Sequence, residues 1–145
     1  MNPETLQLLL KTCAIAQFAI ALLNLILVRM MGWRSDVERM PLLIREVFHV
    51  HSWFVSATLI IFAVVTWRFS SDFANANHEV FQWLAVSIGL FWAFRTVLQV
   101  VYYSASHWRG QPGRIVIHIL LLIIYGGFAA TYLIAALQTR TGGGL

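Results

Sequence analysis

The chain has 145 residues, 59% of them hydrophobic and 11% charged, with a mean hydropathy of +0.74. That balance excludes an ordinary soluble globular domain and points to an integral membrane protein. The net charge of +4 would suit a nucleic-acid binder, but the basic residues gather at the ends of apolar runs and no nucleic-acid motif accompanies them, so nucleic acid is not expected as a partner.

Four apolar runs follow one another, at 5–28, 47–67, 80–103 and 115–137. Each is close to the ~20 residues that cross ~30 Å of hydrocarbon at a helical rise of ~1.5 Å. The first lacks a basic leader and a small-residue cleavage pattern, and is read as a retained span. The connectors at 29–46, 68–79 and 104–114 are short and polar, punctuated by Gly32, Pro41, Ser70, Ser71, Gly110, Pro112 and Gly113. Short links make successive helices antiparallel neighbours. The expected fold is therefore all-α: an integral membrane up-down four-helix bundle forming a single domain over 1–138, with a flexible tail at 139–145. Cys13 is the sole cysteine and cannot close an internal disulfide.

Orientation follows from the basic residues. Arg29, Arg34, Arg39, Arg45, Arg109 and Arg114 lie on one side, and Lys11, Arg68 and Arg140 on the other, six against three. This predicts that the first and third connectors are cytoplasmic and that both termini face outward. Gly126-Gly127 interrupts the last run, but the first half has no counterpart to it, which disfavours a transporter built from paired broken helices.

The most informative residue is Arg95, well inside the third run. An arginine at the centre of a membrane helix costs roughly 2.5 to 3.5 kcal/mol on insertion scales, so it marks a candidate site. At helical spacing it shares a stripe with Trp92, Gln99, Tyr102 and Ser106, which predicts that this face meets protein. No Asp or Glu lies within the runs at that depth, Glu46 being interfacial. The guanidinium therefore invites an anionic or carbonyl partner: a haem propionate, a phosphate head group or a quinone oxygen. The plainer alternative is a structural arginine satisfied by Gln99, tyrosines and backbone carbonyls, or one that snorkels to the interface.

Counting inward from the cytoplasmic ends, Asn24, His49, Gln99 and His118 fall at one level, and Gln17, Arg95 and Tyr125 a turn or two deeper. Cys13, Gln17, Ala21 and Asn24 form one stripe; His118, Tyr125, Ala129 and Tyr132 form another. Ser52 and Ser56 share a face with His49, which is thus expected inward, while His51 sits about 200° away. His49 and His118 at matched depth are candidate ligands for one haem iron or, with His107, a divalent metal. Glu46-Val47-Phe48-His49 has the Glu-x-x-His spacing of di-iron bundles, but the second motif and further carboxylates that chemistry needs are absent. Five of the six tryptophans suit interfacial anchoring; Trp92 lies deep, where it either packs or receives Arg95 on its ring. No Ser-His-Asp set, P-loop or dinucleotide turn is present.

At Phe48-His49-Val50-His51, Phe91-Trp92-Ala93-Phe94-Arg95, Gln99, Tyr102-Tyr103-Ser104, Trp108 and Ile117-His118-Ile119, the chain resembles an uncharacterised family of small four-span bacterial integral membrane proteins. The likeness covers most of the second to fourth runs. It implies the fold and a bacterial inner (cytoplasmic) membrane, with the termini then periplasmic, and implies no activity. A looser likeness to four-helix b-type cytochromes lies in the His and Arg content, without their paired histidines at both faces.

The expected function is a polar His/Arg site in the cytoplasmic-side half, lined by Asn24, His49, Arg95, Gln99, Tyr102, Tyr125 and His118. It would bind haem b, with His49 and His118 on the iron and Arg95 as charge partner, or another redox-active or anionic ligand, in electron transfer. Two rival readings stand beside it. One is a non-catalytic accessory or assembly subunit, partnered by a membrane complex or by copies of itself; the other is an enzyme handling quinone or bilayer lipid.

Overall fold

Long apolar stretches rich in Leu, Ile and Ala satisfy their own backbone polar groups only as helices once water is excluded. The computed structural model describes residues 1–30, 32–102 and 112–138, with the backbone alone at 112–114. Among them are six helices and no strand: α1 (Pro3–Met30), α2 (Arg34–Glu38), α3 (Leu42–Arg68), α4 (Ser70–Asn75), α5 (Glu79–Val101) and α6 (Pro112–Ala136). The four long ones have mean hydropathies between 1.7 and 2.2 over their most apolar windows, and only 17–28% of each window is buried. The remaining apolar surface is what lipid would cover. The chain is thus an all-α, multi-pass membrane protein of the four-helix class.

Its ends and turns follow local chemistry. α1 opens with Pro3 in the first helical position, where its missing N–H is not needed, and Asn2 Oδ1 accepts the Glu4 N–H at 3.1 Å. It closes in a Schellman turn: Gly32 has φ +68°, Trp33 N–H donates to Val28 O at 3.0 Å and Gly32 N–H to Arg29 O at 3.3 Å. α3 starts at Leu42, directly after Pro41 with φ −51° and ψ 141°, earlier than the expected 47. The connector helices α2 and α4 were not expected. Within the spans, Ser52, Ser56, Thr58, Ser87, Thr96 and Thr131 each donate to the carbonyl four residues back, at 2.8–3.0 Å, as hydroxyls must where water is absent.

Two compact units are resolved by contact, Lys11–Phe69 and Met1–Leu10 with the residues from Ser70 onward. In the first, α1 and α3 run antiparallel: Asn24 Nδ2 reaches Ser52 O at 3.0 Å and Ser56 Oγ at 2.8 Å, while Lys11 Nζ lies 5.8 Å from the Trp67 ring centroid.

In the second unit α5 and α6 form an antiparallel hairpin. Gly89 lets the helices approach closely, since a Cβ there would meet Leu133 Cγ and Cδ2 at 3.0 Å and Leu133 N at 3.3 Å. Trp92 stacks on Tyr125 at 5.3 Å and meets Phe128 edge-on at 4.7 Å. Toward the other end Phe73 of α4 packs edge-on against Phe81 at 5.5 Å and Tyr132 at 6.3 Å, and Gln82 Nε2 donates to Gln138 O at 2.9 Å. α6 continues unbroken through Gly126-Gly127. The positions Tyr103, Ser104, Ser106, His107, Trp108 and Arg109, and the tail 139–145, lie outside the described residues.

Candidate functional site

The hairpin register brings three polar side chains into one line. Arg95 Nη1 donates to Gln99 Oε1 at 2.8 Å, one turn along α5, and Gln99 Nε2 is 2.9 Å from His118 Nδ1 on α6. The direction of this chain is fixed by chemistry. Arginine has donors only, so the Gln99 atom facing it is the carbonyl oxygen; the amide NH2 is then turned to His118, whose Nδ1 must accept. A neutral His118 in this arrangement carries its ring proton on Nε2. Gln99 is 2% exposed, Arg95 and His118 are half-buried.

Aromatic rings support the same line. The Arg95 guanidinium carbon stands 4.8 Å from the centroid of the Tyr125 ring, and Tyr125 in turn stacks on Trp92. The cation therefore rests on Tyr125, while Trp92 packs on Tyr125 and Phe128. Trp92 is 2% exposed, and its indole Nε1–H meets no hydrogen-bond acceptor among the described residues. An orphaned buried N–H costs about 1–3 kcal/mol.

The electrostatics are one-sided. Among the described residues the ion pair present is Arg34 with Glu38 at 2.9 Å on α2. Arg95 has no carboxylate in reach there, and one of its five N–H donors is engaged. A charged hydrogen bond is worth about 1.5–3 kcal/mol and a cation-π contact about 0.5–2 kcal/mol. Together these offset the insertion cost of the arginine. They leave its charge without a counter-ion among the described residues, with one donor bonded to Gln99.

The other expected site residues are placed as follows. Asn24 belongs to the Lys11–Phe69 unit, with both Nδ2 hydrogens directed to α3 as an interhelical tie. Ser52 and Ser56 do turn toward α1, whereas His49, a turn earlier on α3, is exposed and sits edge-on to Phe48 at 5.8 Å. His49 and His118 fall in different units. Tyr102 caps the C-terminus of α5 and is 81% exposed. Among the described residues no group of three or more His, Cys, Asp or Glu is placed to hold a metal ion.

Depth along the spans puts Asn24, His49, Gln99 and His118 at one level and Gln17, Arg95 and Tyr125 deeper; of these, Gln99 bonds His118 and Arg95 lies over Tyr125. Depth does not assign the Trp92 indole a role as a buried donor; the signal available is a tryptophan one turn from a membrane arginine. Compared with known proteins, the chain matches no family model, no curated protein and no solved structure.

Proposed function

We propose that this chain is a bacterial inner-membrane protein, with periplasmic termini, that holds a redox-active or anionic ligand with exposed oxygens against Arg95. A quinone head group fits best. The observation that supports this most is the Arg95 guanidinium, half-buried in a span, with one hydrogen bond to Gln99 and no carboxylate among the described residues. A neutral carbonyl can accept from the arginine, and His118, its proton held on Nε2 by Gln99, is the group suited to exchange a proton with such a head group.

Haem b is the weaker form of this proposal. Ligation through His118 Nε2 requires that nitrogen's lone pair, so Nδ1 would carry the proton and donate to Gln99. The amide would have to turn over, setting its NH2 against the donor-only guanidinium and breaking the bond to Arg95. An absorbance spectrum separates the two: haem gives a Soret band that vanishes in His118→Ala.

The quinone form is tested by titrating purified protein with a short-chain benzoquinone. Losing a charged hydrogen bond predicts about 10- to 100-fold weaker binding in Arg95→Gln, with Arg95→Lys intermediate. Equal affinity in all three proteins would overturn the proposal. The Asn24 tie to Ser52 and Ser56 favours a second reading, in which the polar side chains serve as interhelical glue in an accessory subunit that assembles with a membrane complex or with itself. In that case no quinone accompanies the protein into an organic extract.

A further inference from the structure

The Lys11–Phe69 unit carries a second feature, independent of the Arg95 line. Between α1 and α3 lies an open, apolar groove of about 510 Å³. Its floor is two alanines, Ala14 and Ala63, 2% and 4% exposed, and its walls are the half- to largely exposed Ile15, Phe18, Val64 and Trp67. Small residues meeting across the helix pair beneath bulkier neighbours leave a channel the width of a side chain, running along the helices. Along α1 it extends from Ala14 to Phe18, about 6 Å at ~1.5 Å per residue.

One end of this channel is cationic. Lys11 Nζ sits over the Trp67 ring at 5.8 Å, and Arg68, the last residue of α3, lines the groove itself with its guanidinium 5.3 Å from the Phe69 ring. Neither cation has a carboxylate partner among the described residues. Tryptophan and long basic side chains at a helix end belong at the head-group level, where the amphipathic ring and the snorkelling ammonium both find a polar surface. An apolar groove with a lysine over its Trp67 wall and an arginine at the same end of α3 matches one chemistry, an acyl chain joined to a phosphate.

We propose that the α1–α3 groove binds an anionic phospholipid, with one acyl chain along Ala14 and Ala63 and the phosphate between Lys11 and Arg68. The site selects by charge at its mouth and by shape along its length. Each basic residue near an anionic head group contributes about a fivefold gain in binding.

The test uses full-length protein, delipidated in a neutral detergent, and thermal unfolding with added phosphatidylglycerol or phosphatidylcholine of matched acyl chains. Phosphatidylglycerol is expected to raise Tm more than phosphatidylcholine. Lys11→Gln and Arg68→Gln should each weaken the phosphatidylglycerol response about fivefold in midpoint concentration. Val64→Trp, made at an exposed wall position, should fill the channel and remove the response to both lipids. Equal shifts from the two lipids in the unmodified protein, or an undiminished response in Val64→Trp, would overturn the proposal. So would a dimer that Val64→Trp dissociates, which would assign the groove to a second copy of the chain. Should the variants fold poorly, a photoreactive phosphatidylglycerol analogue on the unmodified protein decides: labelling within 11–18 or 63–68 supports the site, and labelling confined elsewhere rejects it.

Discussion

Replacing Gln99 with leucine removes the side chain that bonds both to Arg95 and to His118. Leucine keeps the volume and the helix, so the loss isolates two hydrogen bonds. Interhelical polar contacts in membranes average about 0.6 kcal/mol and reach about 1.7; a bond to a charged group is worth about 1.5–3 kcal/mol. Arg95 is half-buried and can turn toward the head groups when released, which lowers its share. The expected loss is about 2 kcal/mol for Gln99→Leu and about 1 kcal/mol for His118→Leu. The stronger test is the double-mutant cycle, read by reversible unfolding in mixed detergent micelles. Because the two side chains bond each other, the double variant should be more stable than the sum of the singles implies, by about 1 kcal/mol. Additivity within about 0.3 kcal/mol would refute the bond between α5 and α6 at this point.

The same unfolding assay reads three further substitutions. Gly89→Ala places a methyl 3.0 Å from the Leu133 side chain and 3.3 Å from its backbone nitrogen, and should destabilise by about 1–3 kcal/mol; Gly127→Ala, with nothing within 4 Å of the new methyl, should be neutral or stabilising by up to about 1 kcal/mol. Asn24→Leu should cost about 0.6–1.7 kcal/mol through its lost bonds to α3, and about half of that should remain once Ser56→Ala has removed one acceptor, since the Ser52 carbonyl is kept. Trp92→Phe deletes an indole N–H with no acceptor among the described residues but also some packing on Tyr125 and Phe128, so stability should change by less than about 1 kcal/mol.

The spans were readable because bilayer thickness sets their length and hydropathy marks them. The connector helices were not: α2 and α4 span five and six residues, too short for a periodic signal, and are set by local capping and turn geometry. Pro41 announces the start of α3, yet Arg45 and Glu46 just inside it broke the apolar run and delayed the expected boundary. Within the site, the i to i+4 spacing of Arg95 and Gln99 and the matched depth of Gln99 and His118 carried enough information to pair them. The same stripe also included Tyr102, which is 81% exposed, because angular position alone does not register where a helix ends. His49 shares a stripe with Ser52 and Ser56, but the opening turns of α3 are mostly exposed, so the stripe turns inward only from Ser52 onward. Arg95 lies over Tyr125 rather than Trp92 because the indole is already occupied by Tyr125 and Phe128, a competition that no single-helix pattern expresses.

The polarity of the line from Arg95 through Gln99 to His118 is read directly by nitrogen NMR of histidine-labelled protein in lipid. With the guanidinium on the Gln99 carbonyl, neutral His118 should show an unprotonated Nδ1 and a protonated Nε2, and Gln99→Glu, whose carboxylate can only accept, should move the proton to Nδ1. A protonated Nδ1 in the unmodified protein would reverse the amide, detach Arg95 from Gln99 and contradict the site as described.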